Sequence, residues 1–223
     1  MSSDNVFIVV PAFNEEGTIY EVVRSISSFG RVLVVDDASS DRTFQLATKA
    51  GAQVIRHNEN LGYSSALNSA FSAAAEAGAE YIVTYDADGQ HDVTNLEEII
   101  DQLKMGADLV AGIRPSLPRL SERLFALTFN EMYGIKDPLC GLKGYRAHLY
   151  RTAGFFDRCN SYGSDLLRFA CAAKGKYRIE VIPVEIHARE DVPRVGNRVR
   201  ANLKIFMGMM RLYGNALKGE LLQ

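Results

Sequence analysis

The sequence predicts an α/β fold built on a mostly parallel, Rossmann-like sheet with helices on both faces. Between residues 6 and 112, short β-branched apolar runs alternate with amphipathic helical patterns. Near-continuous apolar runs of this kind are typical of strands that are covered on both faces. The chain has 223 residues, of which 47% are hydrophobic and 23% charged, so it is long enough to form one domain with a sizeable core.

The first half contains five predicted strands, over residues 6–10, 32–35, 53–55, 81–85 and 108–111. A crossover helix is predicted over residues 63–77, and Gly78 is placed to end it. The other helices carry start signals typical of two capping boxes and one N-cap, formed by Thr18 with Glu21, Thr94 with Glu97, and Asp41.

The second half is less regular and indicates an elaboration of the same sheet. Helices are predicted over 120–133, 164–173 and 201–217, strands around 137–145 and 177–182, and a polar loop over 189–197. The last helix has an apolar stripe flanked by basic residues. The stripe consists of Leu203, Phe206, Met210, Tyr213 and Leu217, and its flanks of Arg200, Lys204, Arg211 and Lys218. We expect it to pack on the sheet or on a second copy, with weak contact to an anionic membrane as the alternative.

Composition disfavours several classes of protein. The formal net charge is −2, which provides no global basic surface for nucleic acid. Cys140, Cys159 and Cys171 show no Cys-x-x-Cys spacing, so neither a disulfide framework nor a thiolate zinc site is expected, and a reducing cytoplasm fits. No uninterrupted apolar run of about 18 residues indicates a membrane span.

Acidic side chains follow three of the predicted strands, in residues 11–16, 36–41 and 86–91. Ligands of open parallel sheets bind at these carboxyl ends. Carboxylates gathered there repel one another unless a cation is present, and hard oxygen ligands suit Mg²⁺ or Mn²⁺. Asp86, Asp88 and Gln90 are the candidate metal ligands. Simple turn formation is the alternative explanation for an Asp-x-Asp pair.

Five ordered motifs resemble the family 2 glycosyltransferases. They are Val-Pro-Ala-Phe-Asn-Glu (10–15), Val-Val-Asp-Asp-Ala-Ser-Ser-Asp-Arg-Thr (34–43), Asn-Leu-Gly (60–62), Asp-Ala-Asp-Gly-Gln-His (86–91) and Asp-Pro-Leu-Cys-Gly-Leu-Lys-Gly-Tyr (137–145). Within that family the chain most resembles the polyprenyl-phosphate branch, which includes dolichol-phosphate mannosyltransferase-like enzymes. The resemblance implies a GT-A fold, a UDP- or GDP-linked sugar donor and inversion at the anomeric carbon.

The resemblance also implies a role for each part of a single domain spanning 1–223. Residues 1–112 would form the nucleotide-binding half, 113–200 the acceptor-side half and 201–223 an amphipathic C-terminal helix. Asp86, Asp88 and Gln90 would hold the metal on the donor diphosphate, so that Asp86 contacts metal and nucleotide together. The nucleoside pocket would be formed by Pro11, Ala12, Phe13, Asn14 and Glu15, with Asp36 or Asp37 hydrogen-bonding the base or ribose.

The acceptor implied by the resemblance is a polyprenyl phosphate, which is already an anion and needs no general base. Arg114 and Arg123 would contact the acceptor phosphate, because a guanidinium matches phosphate geometry. Arg194 or Arg198 would supply the charge of the late segment that closes over the diphosphate, although the family's Ser-Lys pair is missing here. A hydroxyl acceptor on a growing glycan would instead need Asp137 or Asp165 to take its proton. A third hypothesis is a non-catalytic protein that binds nucleotide sugars. Further partners considered are the inner face of the membrane, a membrane partner subunit and a second copy of the chain.

Overall fold

The computed structural model describes residues 5–187 and 198–220. Within these ranges seven strands form one sheet. They are β1 (Val6–Ala12), β2 (Arg31–Asp36), β3 (Gln53–Arg56), β4 (Tyr81–Thr84), β5 (Leu109–Ile113), β6 (Lys143–Arg146) and β7 (Ile179–Pro183). Their order across the sheet is β3-β2-β1-β4-β6-β5-β7.

Eight helices occur in the same ranges. They are α1 (Ile19–Ile26), α2 (Thr43–Lys49), α3 (Tyr63–Glu76), α4 (Val93–Lys104), α5 (Leu120–Tyr133), α6 (Ala147–Ala153), α7 (Asp165–Ala172) and α8 (Arg198–Glu220). The short helix α6, which begins directly after β6, has no counterpart in the sequence prediction. None of the helices in the described ranges combines the length and apolar character needed to cross a bilayer.

The mostly parallel sheet predicted from the sequence is confirmed. β1 pairs in parallel with β2 and β4, β2 with β3, and β5 with β7. β6 lies between β4 and β5 and is antiparallel to both. Its register sets Lys143 opposite Thr84, which brings the segment before β6 to the carboxyl end of β4.

Helices cover both faces of the sheet, as predicted. Along β1, Phe7 and Val9 belong to one buried cluster, whereas Val6 and Ile8 belong to the other, because successive side chains of a strand point to opposite faces. The first cluster also contains residues of α3 and α5 to α8, and the second contains residues of α1, α2 and α4.

Two predicted capping boxes are wrong. Thr18 precedes α1 but makes no side-chain cap, and its hydroxyl donates to the Ala87 carbonyl (2.7 Å) instead. Helix α4 begins after Asp92, whose carboxylate accepts a hydrogen bond from the Thr94 amide (2.8 Å). The local patterns fail because one hydroxyl is used in a tertiary contact and because Asp92 is a good N-cap two residues before Thr94. Asp41 does supply an acceptor at the start of α2, one residue before the N-cap position.

The predicted stripe of the last helix is not its buried face. Leu203, Phe206 and Met210 are exposed. Among residues 199–215 of α8, whose burial the structure describes, the buried ones are Ala201, Ile205, Gly208, Met209 and Leu212. A Cβ at Gly208 would lie only 3.2 Å from the Asn160 carbonyl oxygen, so small residues let the helix approach the chain there. The hydrophobic pattern does not reveal the buried face of α8, because packing on that face depends on small residues that let the helix come close to the neighbouring backbone. The side chain of Leu217 lies outside the described residues.

Candidate active site

A cleft with a cavity volume of about 800 Å³ opens at the carboxyl ends of β1, β2 and β4. One wall carries acids from the segments that follow these strands: Glu15, Asp37, Asp86 and Asp88. A loop after α6 and helix α8 form another part of the lining, called here the basic wall. It contains Asn160, Tyr162, Arg200, Ala201, Lys204, Met207 and Arg211. The cleft therefore has one acidic and one basic wall.

Asp86 lies directly beyond β4 and is held from three sides. The Tyr63 hydroxyl donates to Oδ1 (3.2 Å), and the His91 ring nitrogen Nε2 lies 3.3 Å from Oδ2. Burial acts to raise the pKa of Asp86, but the contacts with His91 and Tyr63 and the charge of Lys143 bring it below its ordinary value. Asp86 is therefore ionised at neutral pH. Tyr63 keeps its proton, because burial and the Asp86 charge raise its pKa well above the usual range.

The third support of Asp86 is the backbone of Gly141. A Cβ at this position would lie 1.9 Å from Oδ2 of Asp86, so only glycine leaves room for the carboxylate. The Thr84 hydroxyl donates to the Gly141 carbonyl (2.6 Å) and fixes the segment against β4. The sequence motif over residues 137–145 contains this glycine, but the pattern alone does not reveal its neighbour.

Lys143 is a buried basic residue that was not predicted from the sequence as part of the site. Its ammonium donates to the Cys140 carbonyl, and burial lowers its pKa while the charges of Asp137 and Asp86 act to raise it. Lys143 thus places a basic group beneath the acidic wall.

Asp88 and Gln90 lie in the turn after β4 but differ in orientation. Asp88 lines the cleft, and its Oδ1 accepts a hydrogen bond from the Gln90 amide (3.2 Å). The Gln90 side chain instead donates to the His187 carbonyl (3.2 Å) and does not line the cleft. The geometry therefore brings Asp86 and Asp88 together at the cleft without Gln90.

Asp86 and Asp88 fit a divalent metal by the chemistry of their oxygens. Mg²⁺ is commonly held by one or two carboxylates, and water and substrate phosphates complete its coordination. Within residues 5–187 and 198–220, no group of three or more His, Cys, Asp or Glu side chains is arranged to hold a metal ion. Asp86 and Asp88 match the arrangement of two carboxylates that commonly holds Mg²⁺.

The nucleoside-pocket residues predicted after β1 lie at the cleft with one exception. Pro11, Ala12, Phe13 and Glu15 line it, and the Phe13 ring is 41% exposed. Asn14 does not line the cleft. It adopts φ 54°, its amide donates to the Ser39 hydroxyl, and its side chain accepts from the Ser40 amide. Asn14 therefore joins the loops after β1 and β2.

Asp36 and Asp37 have different surroundings. Asp37 lines the cleft and accepts hydrogen bonds from the Leu61 and Gly62 amides at 2.9 and 2.7 Å, with His57 Nδ1 2.7 Å from its Oδ1. Asp36 is fully buried beside Arg56 (3.2 Å) and does not line the cleft. Asp37 thus shapes the loop before α3, which forms part of the cleft.

The two predicted general bases are buried in ion pairs away from the cleft. Asp137 accepts two hydrogen bonds from the Arg114 guanidinium, at 2.8 and 3.0 Å. Burial acts to lower the pKa of Arg114, but Asp137 raises it above its ordinary value. Asp165 lies 3.2 Å from Arg168 and 3.4 Å from Arg158. Arg194, a further predicted phosphate contact, lies outside the described residues.

The loop that carries Asn160 and Tyr162 was not predicted from the sequence to be part of the cleft. Both residues have positive φ, 52° and 58°. The buried carboxylate of Asp157 holds the loop by accepting hydrogen bonds from Ser161 and Gly163 amides and from the Ser64 hydroxyl (2.9, 2.8 and 2.6 Å). The only sequence signal was a run of small and polar residues, which is common to many loops.

Comparison with known proteins identifies the family. Residues 7–153 match the family described as Glycosyl transferase family 2. An uncharacterized glycosyltransferase of Mycobacterium bovis is 38% identical over 78% of this chain and 82% of its own length. The UDP-N-acetylglucosamine–dolichyl-phosphate N-acetylglucosaminyltransferase of Methanococcus voltae is 24% identical over 95% of this chain and 97% of its own. The match to an uncharacterized protein of Methanocaldococcus jannaschii spans only about half (48%) of that protein's length.

The fold is shared with solved structures. Glucosyl-3-phosphoglycerate synthase from Mycobacterium tuberculosis, in complex with Mn²⁺, UDP and glucosyl-3-phosphoglycerate, superposes with a TM-score of 0.72 at 20% identity. The match covers 95% of this chain and 80% of that one. The predicted GT-A fold is confirmed, and the chain belongs to the family 2 glycosyltransferases.

Proposed function

We propose that this glycosyltransferase transfers a sugar, with inversion, from a UDP- or GDP-linked donor to a polyprenyl phosphate, with Mg²⁺ or Mn²⁺ at the donor. The observation that carries the proposal is the cleft itself. Its acidic wall suits a metal-bound diphosphate, and its basic wall lies on a helix whose outer surface is apolar. Membership of a glycosyltransferase family favours an enzyme over a non-catalytic protein that binds nucleotide sugars.

The acidic wall supports a nucleotide-sugar donor. Asp86 and Asp88 would hold the metal, and Phe13, which lines the cleft, carries an aromatic ring of the kind that stacks on a base. The metal would neutralise the diphosphate and stabilise the departing nucleoside diphosphate. The Mn²⁺ and UDP bound by the structurally similar synthase support this assignment.

The buried ion pairs favour a phosphate acceptor over a sugar hydroxyl. A hydroxyl needs a base to take its proton, whereas Asp137 and Asp165 are engaged by arginines. A phosphate oxygen can attack the anomeric carbon directly. The new bond forms between these two atoms, the bond from that carbon to the donor phosphate oxygen breaks, and the nucleoside diphosphate leaves with the electron pair. The dolichyl-phosphate acceptor named for the Methanococcus voltae relative supports this choice.

An exposed apolar surface beside the cleft supports a lipid acceptor. Helices α5 and α8 pack together, and the Asn202 side chain of α8 accepts hydrogen bonds from the Ser121 amide and hydroxyl (3.0 and 2.8 Å). Their outward faces carry most of the exposed large hydrophobic side chains in the described residues. These are Leu120, Leu124, Leu127, Met132, Val199, Leu203, Phe206, Met207 and Met210. Such a surface suits contact with a membrane interface.

Turnover tests the proposal directly. The protein is incubated with Mn²⁺ and a panel of UDP- and GDP-sugars, and nucleoside-diphosphate release is followed with farnesyl phosphate, farnesol or a soluble oligosaccharide as acceptor. We expect one donor to be consumed rapidly with farnesyl phosphate, and slowly with the other two. Faster release with the oligosaccharide would overturn the lipid-phosphate assignment.

Co-sedimentation with anionic liposomes tests the apolar surface. We expect the Leu203→Gln/Phe206→Gln variant to bind less than wild type, because both side chains are exposed on α8. Met105→Gln is the control, since Met105 is at least as exposed as Leu203 and Phe206 but follows α4 on the other side of the sheet. If the surface instead joins two copies, wild type will elute as a dimer and the double variant as a monomer.

A further inference from the structure

We propose that Arg200, Lys204 and Arg211 of α8, called here the α8 basic row, bind the phosphate group of the acceptor. The inference rests on the proposed function and assigns a binding role that the sequence motifs did not suggest. The motifs placed phosphate contacts on Arg114 and Arg194. The α8 basic row lines the same cleft as Asp86 and Asp88.

Helix geometry separates α8 into three faces. At 3.6 residues per turn, the α8 basic row and Met207 fall within about 60° of arc. The buried residues, including Ala201, Ile205 and Leu212, occupy a second face. The exposed apolar residues occupy the third, next to the basic row, with Met207 at the boundary. A ligand with an anionic head and an apolar chain therefore matches two adjacent faces of one helix.

The α8 basic row is free to bind an anion. Its side chains are exposed, and the hydrogen bonds and salt bridges found among residues 5–187 and 198–220 include none that neutralise them. Two arginines that follow β5 in the chain already have hydrogen-bond partners. Arg114 forms its paired contact with Asp137, and Arg123 donates to the Leu117 carbonyl (2.8 Å). Among the cleft residues that the structure describes, the unneutralised positive charge therefore lies on α8.

The position of the row favours the acceptor phosphate over the donor diphosphate. The donor diphosphate is expected at the acidic wall, because a metal held by Asp86 and Asp88 needs phosphate oxygens to complete its coordination. The α8 basic row lines the same cleft from a different element, the last helix. Inversion requires the acceptor to attack from the side opposite to the leaving group, so the acceptor anion needs a binding site separate from that of the diphosphate, and α8 supplies one.

Equilibrium binding tests the role of the row. Affinities for farnesyl phosphate, farnesol and Mn²⁺-UDP are measured by calorimetry for wild type, Lys204→Gln/Arg211→Gln and Lys104→Gln. Lys104 is an exposed cation in the last turn of α4 and serves as the matched control. We expect the double variant to lose about tenfold or more in affinity for farnesyl phosphate, as for charged hydrogen bonds. Its affinities for farnesol and Mn²⁺-UDP, and its melting temperature, should match those of the control.

Three results would overturn the inference. One is an unchanged affinity for farnesyl phosphate, which would make the row a solvated surface. Another is a loss confined to Mn²⁺-UDP, which would assign the row to the donor. The third is displacement of farnesyl phosphate by an equal concentration of inorganic phosphate, which would identify a free-phosphate site. These binding measurements decide the role of the row even if no turnover is observed. Turnover is a separate measurement, and it tests the proposed function.

Discussion

Replacing Gly141 with alanine should disable the acidic wall while leaving the rest of the molecule folded. The new Cβ would lie 1.9 Å from Oδ2, 2.4 Å from Cγ and 2.6 Å from Oδ1 of Asp86. The shortest of these distances is roughly 1.5 Å less than ordinary contact. The carboxylate must therefore rotate away, or the segment before β6 must separate from β4.

The cost follows from the two ways of relieving that overlap. Overpacking a well-filled site costs about 1–3 kcal/mol, and each 1 kcal/mol lowers the melting temperature by about 2–4 °C at this chain length. A fall of roughly 2–12 °C is expected. Rotation of Asp86 also breaks its contacts with Tyr63 and His91 and moves a carboxylate proposed to bind the metal, so Mn²⁺-dependent UDP affinity should fall by about tenfold or more.

Thermal melting and calorimetry with UDP, with and without Mn²⁺, measure both effects. Gly214→Ala is the matched control, because nothing lies within 4 Å of its added Cβ and alanine favours a helix over glycine by about 0.5–1 kcal/mol. In the double variant Gly141→Ala/Asp86→Ala the overlap disappears, so its stability should return to that of Asp86→Ala. Wild-type melting and UDP affinity in Gly141→Ala would refute the reasoning.

Three further predictions concern single contacts. Asp88→Ala should lower Mn²⁺-dependent UDP affinity about 10–100-fold with little change in melting temperature. Calorimetry measures the affinity, and Asp101→Ala, at an exposed aspartate of α4, is the control. An unchanged affinity would assign Asp88 to turn formation. Arg114→Ala should lower the free energy of unfolding, measured in urea, by about 3–5 kcal/mol, because it leaves the buried Asp137 without its partner. The double variant Arg114→Met/Asp137→Leu should lose less. Equal losses would contradict a stabilising pair. Asp92→Ala should lower stability by about 1 kcal/mol through loss of the α4 cap. Hydrogen bonds from Thr94 and His187 lower the pKa of Asp92 to about 2, so its contribution is present above about pH 4 and is lost as pH falls towards 2. The deficit in melting temperature should therefore be smaller at pH 3 than at pH 7, and a deficit that grows on acidification would contradict the assignment.

Local pattern was sufficient where the structure depends on neighbours in sequence. The apolar runs of β1, β2 and β4 predict strands buried on both faces, and polar residues after them predict the edge at which ligands bind. Asp86 and Asp88 reach the cleft because they follow β4 directly. The caps of α1 and α4 were mispredicted, since a Ser, Thr or Asp side chain has several acceptors and donors within reach and tertiary contacts select among them.

The sequence by itself determined the α/β class, the family and the acidic edge, because these depend on strand periodicity and on short motifs that occur in a fixed order. Tertiary structure alone decided that β6 runs antiparallel between β4 and β5, that Gly141 backs Asp86 and that Asp137 is paired with Arg114. It also decided which face of α8 is buried. Each of these features joins residues that are distant in the chain, and hydrophobic periodicity reports only how a side chain is oriented within its own element.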